Sequence, residues 1–124
     1  MLGSAAKVQS LEEIYNLLRT AVIQQRPIAA VHDGGRRLVC PHVLGRNKAD
    51  QYRAFCYQYG GESKSGLQPK GGAGSWRCIA LEKLSSVELL DGPWQTEPHG
   101  SQRCVAKIDV DAEDHPDREP QRGQ

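Results

Sequence analysis

The strongest constraint on the fold is an alternating run of side chains at Gln51–Tyr59, QYRAFCYQY. Side chains of a β-strand point alternately to the two faces of a sheet. Ala54 and Cys56 therefore face one way, and Phe55 and Tyr57 face the other. Because both faces carry bulky residues, the run predicts a central strand, either in a barrel or in a sheet that is covered on both sides.

Shorter segments around this run predict further strands. Pro27–His32 is apolar, and Asp33-Gly34-Gly35 is typical of a tight turn. Arg36–Cys40 alternates in part until Pro41, which either ends the strand or marks an edge strand. His42–Asp50 is rich in turn residues and predicts a loop. Three more strands are expected, at Ser75–Leu81, Ser85–Leu90 and Gln102–Val110.

One amphipathic helix is predicted before the strands. Ser10 and Glu13 have the spacing of a capping box, in which each side chain bonds the backbone of the other residue. Apolar residues then recur at helical spacing as far as Pro27, which predicts a helix at about Leu11–Gln25. Its apolar stripe has to pack on the strands that follow.

These elements fit one domain within the 124 residues of the chain. We expect a mainly β fold, a small Sm-like or SH3-type β-barrel with one N-terminal helix, at residues 10–110. Residues 1–9 are expected to be disordered, and Gly60–Gly74 to form a long flexible loop. Asp111–Gln124 is charged and lacks aromatic residues, which predicts a disordered C-terminal tail.

The charge distribution is uneven along the chain. Residues 1–108 contain 14 Lys and Arg against 9 Asp and Glu, whereas residues 109–124 contain 6 acidic and 2 basic residues. A basic body with an acidic tail is compatible with an anion-binding surface, and equally with a solvated surface and a solubilising tail. We find no apolar run of the ~20 residues that a membrane span needs and no secretory signal, so we expect a cytoplasmic protein.

Four cysteines occur, and no two form a CxxC pair. In a cytosolic chain we expect no disulfides, and we interpret the cysteines as small buried residues of the core. Their spacing does not match a usual zinc pattern, and no histidine and carboxylate are placed around a cysteine for nucleophilic catalysis. We therefore expect no metal, no cofactor and no enzymatic activity.

A basic segment with interleaved aromatic residues is the best candidate for a binding site. Between Arg36 and Lys83 there are nine Lys and Arg and three Asp and Glu. Arginines on neighbouring strands can form a forked donor site for phosphate or carboxylate. Aromatic residues beside such arginines are typical of single-stranded nucleic-acid binding. A nucleotide-sized ligand fits the same pattern, and so do solvent-facing arginines without a ligand.

Three segments together resemble the WYL domain family. Arg37–Leu44, RLVCPHVL, is similar to that family's R-x-V-x-P-x-x-L motif, and Asp50–Cys56 lies where the family has its Trp-Tyr-Leu run. Ser75–Leu84, SWRCIALEKL, is similar to the family's R-x-F-R-L-D-R-I motif. The resemblance covers about residues 27–90. Two departures are that only Tyr52 of the name-giving triplet is present and that Ala80 replaces a second arginine.

The resemblance implies an Sm-like barrel that binds a nucleotide-like or nucleic-acid ligand and regulates a partner. By position, the ligand-facing candidates are Arg37, His42, Tyr52 and Arg77, and we add Lys83 as a further contact. We expect a ligand-sensing binding domain for an anionic ligand. The alternatives are nonspecific binding of single-stranded nucleic acid by the whole basic face, and a structural or partner-docking module without a ligand of its own.

Overall fold

The computed structural model describes residues 9–61 and 75–113 and contains one helix and six strands. A three-residue 3-10 turn, Leu81–Lys83, connects the fourth strand to the fifth. The mainly β prediction is confirmed. The elements are α1 Leu11–Gln24, β1 Ile28–His32, β2 Gly35–Arg46, β3 Tyr52–Gly61, β4 Trp76–Ala80, β5 Leu84–Leu89 and β6 Lys107–Asp111.

All six strands belong to one antiparallel sheet in the order β4-β3-β2-β1-β5, and β6 pairs with the second half of β2. The sheet is open, because its edge strands β4 and β5 do not pair with each other in the described residues. The expected closure into a barrel is therefore wrong. These edge strands have only five and six residues, and no other described strand lies between them to complete the ring.

The long strand β2 corrects the expected break at Pro41. It continues through Pro41 to Arg46, where a loop was predicted. The register of β2 with β3 shifts between Pro41 and Val43, and a bulge of this kind tolerates a residue without an N–H. The actual turn is confined to the residues around Asn47, whose side-chain oxygen accepts hydrogen bonds from the backbone of Ala49 and Gln51.

Helix α1 has the predicted start and covers one face of the sheet. The Ser10 hydroxyl accepts a hydrogen bond from the Glu13 N–H at 3.0 Å, and the Glu13 carboxylate accepts one from the Ser10 N–H at 2.8 Å, which confirms the capping box. The helix ends at Gln25, whose φ of 53° is left-handed. Its buried residues pack on the side of the sheet that we call the core face; they are Ile14, Leu18, Ala21 and Val22.

Two segments that were predicted to be disordered contain ordered residues where they adjoin the domain. Gln9 forms two hydrogen bonds to the backbone of Val87 in β5, at 2.8 and 2.9 Å. Asp111 belongs to β6, and Ala112 is buried in the core, so the expected tail does not start at residue 111. The rest of the predicted disordered ends and of the predicted loop lies outside the described residues, at 1–8, 62–74 and 114–124.

Between β5 and β6 the chain crosses the other side of the sheet, the strap face, as an irregular segment. We call this segment, residues 90–106, the strap. The predicted strand Gln102–Val110 is correct only in its last residues, because β6 begins at Lys107. Within the described residues, no helix has the length and apolar character needed to cross a membrane.

Candidate functional site

Arg37 and Arg77 start from the same face of the sheet. Residues that lie directly opposite each other in a ladder share a face. Arg37 is opposite Ala30 of β1, and Arg77 is opposite Cys56 of β3. Ala30 and Cys56 both belong to the core beneath α1. The sheet therefore brings these two cationic side chains, which are both candidates for the binding site, to the core face.

Arg37 is buried, and no acidic side chain of residues 9–61 and 75–113 pairs with it. Its side chain and backbone together are 8% exposed, and its Nε–H is buried with no hydrogen-bond partner. No ion pair in the described residues involves Arg37. A buried N–H without an acceptor costs about 1–3 kcal/mol. Arg37 borders a small internal cavity of about 10 Å³, which has room for roughly one water molecule.

Arg77 is partly buried beside this residue. Burial lowers the pKa of the Arg77 guanidinium, and the nearby positive charge of Arg37 lowers it further. Two like charges close together attract an anion more strongly than either does alone. We call Arg37 and Arg77 the arginine pair.

Two other arginines of the basic segment, Arg46 and Arg53, contact acidic side chains within the protein. Arg53 contacts the Glu82 carboxylate at 3.2 Å, and Arg46 contacts Asp50 at 3.4 Å. Asp50 is also bound by Lys107 at 2.6 Å. Because these charges are already paired, they contribute less than a count of basic residues suggests to a continuous binding face for nucleic acid.

Two further residues lie near the arginine pair. His32, which the sequence analysis did not select, borders the same small cavity, and its Nδ1 is 3.6 Å from the Asp33 carboxylate. The alternation of β1 predicts that His32 lies on the core face, because it is two residues from Ala30 in the same strand. Lys83 is exposed in the 3-10 turn, directly before Leu84, which also borders the cavity.

Tyr52 does not join the arginine pair. It lies at the start of β3, opposite Arg46, whereas Arg37 lies opposite Gly61 at the end of the same strand. A strand of ten residues is about 30 Å long. The Tyr52 ring packs on Tyr15 of the helix, with ring centroids 5.1 Å apart.

His42 lies under the strap, on the side of the sheet opposite the core. Its Nδ1 is 2.7 Å from the Cys40 carbonyl and its Nε2 is 2.9 Å from the Thr96 hydroxyl. Since a carbonyl only accepts, Nδ1 carries the proton, and in the neutral ring Nε2 accepts from Thr96. Burial lowers the pKa of His42, although the Cys40 bond and the charge of Glu113 act in the other direction. His42 is therefore separated from the arginine pair by the sheet.

Three aromatic residues of the basic segment form a cluster around Trp76, whose ring contacts His42 at 4.7 Å between ring centroids. The Phe55 and Trp76 rings are stacked at 4.7 Å with 13° between their planes, and Tyr57 is opposite Trp76 in the ladder. These aromatic residues therefore lie on the face opposite the arginine pair, whereas Arg53 of β3 shares their face.

His99 completes this cluster from the strap and was missed by the sequence analysis. It contacts Trp76 at 4.5 Å between ring centroids. Burial alone lowers the pKa of His99, but its Nδ1 faces the Gly100 carbonyl and its Nε2 faces the Glu113 carboxylate, at 3.1 Å. Both partners only accept, so the doubly protonated ring is favoured and the pKa is raised overall.

The cysteines divide into two kinds. Cys78 and Cys104 form a disulfide between β4 and the strap, so the expected absence of disulfides is wrong. The two residues are 26 positions apart, and they meet only because the strap crosses β4. Cys40 and Cys56 are free and buried, as expected for small core residues. Burial raises the pKa of the Cys40 thiol to about 11 and also raises that of Cys56.

In the described residues no three His, Cys, Asp or Glu side chains are grouped in a way that could hold a metal ion. Comparison with known proteins gives no relative: no family model matches the chain, and no curated protein or solved structure is significantly similar to it.

Proposed function

We propose that this domain binds an anionic, nucleotide-like or nucleic-acid ligand through the arginine pair, as a regulatory binding module and not as an enzyme. The observation that carries the proposal is the buried Nε–H of Arg37, which has no partner in the described part of the chain and is near a second arginine. A phosphate or carboxylate group would supply the acceptor that the described residues do not offer to the Arg37 Nε–H.

The fold is compatible with this proposal. One helix precedes six strands, of which five follow the order β4-β3-β2-β1-β5 and the sixth pairs with β2, with a 3-10 turn before β5. We propose that this arrangement is an open relative of the Sm-like, SH3-type fold. The proposal also rests on the resemblance of residues 27–90 to WYL domains, which implies ligand-facing positions for Arg37 and Arg77.

The arginine pair favours recognition of the charged group of the ligand over stacking of its bases. Phe55 and Trp76 are on the other face of the sheet, and Tyr52 is at the far end of β3. The ligand is therefore held at a phosphate, with Lys83 as an additional contact at the surface. Neither His42 nor Tyr52 touches the ligand in this proposal.

Titration with two probes tests the proposal. Adenosine triphosphate is followed by calorimetry and a fluorescein-labelled eight-nucleotide deoxythymidine oligomer by anisotropy, each with the wild type, Arg37→Met and Arg77→Met. We expect both variants to bind at least tenfold more weakly. Arg53→Met, which removes an arginine already paired with Glu82, is the matched control and should bind as the wild type does. Equal binding by all four proteins would refute the proposal.

The salt dependence of oligomer binding separates a local site from a basic face. Two phosphate contacts to a single strand predict a slope of about −1.4 in a plot of log K against log salt. Binding by the whole basic face requires a steeper slope, shared among many Lys and Arg. A slope steeper than about −4 with no special effect of Arg37→Met would favour the nonspecific alternative.

The open sheet supports a second candidate function, docking of a partner chain by strand addition. In β5 the backbone N–H and C=O of Val87 are bonded by the Gln9 side chain and not by another strand. A partner strand would replace Gln9. Gln9→Ala should then increase capture of that partner in a pull-down, whereas it should leave oligomer binding unchanged. Retention of a protein partner with no nucleotide or oligomer binding would favour this candidate.

A further inference from the structure

The strap covers an aromatic layer on the strap face, and side chains hold most of it in place. Trp94 packs on His42 with ring centroids 4.6 Å apart, and the Thr96 hydroxyl is 2.9 Å from the same histidine. His99 packs on Phe55 at 5.0 Å. The strap also covers a free thiol, since the Gln95 N–H donates to the Cys40 sulfur at 3.3 Å.

Backbone bonds tie the strap to the sheet only at its two ends within the described residues. The Leu90 N–H donates to the Pro27 carbonyl, and the Ala106 N–H donates to the Arg46 carbonyl. Between these points the one covalent link described is the disulfide from Cys104 to Cys78 on the edge strand β4. Cys78 is an exposed residue and Cys104 is only half-buried, so a thiolate from solvent can approach the disulfide at this edge of the sheet.

We infer that the Cys78–Cys104 disulfide is a redox latch that keeps the strap closed over the aromatic layer, and that a dithiol reductant opens it. A thiolate of the reductant attacks Sγ of Cys78, the disulfide bond breaks, and Sγ of Cys104 leaves as a thiolate that takes up a proton. The second thiol of the reductant then attacks the mixed disulfide and releases Cys78 as a thiol. In total the cystine gains two electrons and two protons, and the dithiol becomes a disulfide.

Opening of the latch has a specific consequence for the two free cysteines. Cys40 lies under the strap, whereas Cys56 belongs to the core beneath α1 on the opposite face. Both are fully buried in the closed state. Release of the strap exposes Cys40, and Cys56 stays covered as long as the helix and sheet remain folded. The two thiols therefore report local opening and global unfolding separately.

Alkylation followed by intact mass and peptide mapping tests the latch. The folded protein is treated with iodoacetamide at pH 8, before and after incubation with dithiothreitol and removal of the reductant. Before reduction we expect no alkylation within ten minutes. After reduction we expect rapid labelling of Cys78 and Cys104, labelling of Cys40 at least tenfold faster than before reduction, and continued protection of Cys56. The Cys78→Ser/Cys104→Ser variant should label Cys40 at the faster rate without any reductant.

Three results would overturn the inference. Labelling of Cys78 and Cys104 without reductant would mean that the disulfide does not form. Protection of Cys40 after reduction and in the double serine variant would mean that the strap stays closed without the disulfide. Labelling of Cys56 together with Cys40 would mean that the whole domain unfolds. The arginine pair lies on the opposite face, so none of these results depends on the proposed ligand.

Discussion

Replacement of Arg37 by methionine should make the free protein more stable while it weakens ligand binding. Methionine keeps an unbranched apolar stem of comparable length, so packing against the core face is largely retained. The change removes a buried N–H without an acceptor, worth about 1–3 kcal/mol, and the repulsion from Arg77. A small cavity is already present beside Arg37. The shorter methionine side chain enlarges it, which reduces the gain in stability.

We expect a net gain of about 1–2 kcal/mol in the free energy of unfolding, in line with other buried charges replaced by apolar residues. For a domain of this size the gain corresponds to a rise in melting temperature of about 4 °C per kcal/mol. Urea unfolding followed by tryptophan fluorescence measures the free energy, and calorimetry measures the melting temperature.

The neighbouring exposed Arg36 provides the control for this prediction. Arg36→Met should change the free energy of unfolding by less than about 0.5 kcal/mol, as is usual for surface substitutions. A loss of more than 1 kcal/mol in Arg37→Met would refute the reasoning, because it would show that Arg37 stabilises the fold through partners of its own. Arg37 would then have a structural role, and the main support for a ligand site would be lost.

Three further predictions concern the strap and the helix. Gly45→Ala places a methyl group against a backbone carbonyl of β6, so urea unfolding should show a loss of about 3 kcal/mol, whereas Gly100→Ala, which meets nothing within 4 Å, should be neutral. Because the pKa of His42 is lowered in the folded state, its contribution to stability is present above about pH 6.5 and is lost as the pH falls through its folded pKa. The raised pKa of His99 acts in the opposite sense, so the effect of His42 is measured in His99→Gln, whose free energy of unfolding should fall from pH 7.5 to 5.5 more than that of His42→Gln/His99→Gln. Ser10→Ala removes the helix cap and should lower the melting temperature by an amount that corresponds to about 1 kcal/mol; an unchanged value would contradict the capping assignment.

Local sequence patterns were sufficient to predict the approximate positions of most of the helix and strand segments. The Ser10 and Glu13 spacing located the helix start to the residue, because capping is a contact between neighbours in sequence. The alternation in Gln51–Tyr59 placed Cys56 and Phe55 on opposite faces, and in the structure Cys56 lies in the core whereas Phe55 stacks on Trp76. The continuation of β2 through Pro41 was not predictable in this way, since it depends on a bulge in its pairing with β3.

The arrangement of the candidate site depended on contacts that sequence spacing does not encode. Arg37 and Arg77 are 40 positions apart, and the strand registers across β3 decide whether they meet. The same is true of the disulfide between Cys78 and Cys104, which requires the strap to cross β4. His42 and Tyr52 matched the family motifs by position, yet the bulge and the length of β3 separate them from the arginine pair.

Nuclear magnetic resonance of the arginine side chains tests the central claim most directly. Spectra of the Nε–H groups resolve individual arginines, and the signal of Arg37 is distinctive because its Nε–H is buried without a partner. On titration with adenosine triphosphate or the deoxythymidine oligomer, the account predicts that the Arg37 and Arg77 signals shift together and saturate, while the signal of Arg53 does not move. An unchanged Arg37 signal at saturating ligand, or equal shifts of all arginines, would contradict it.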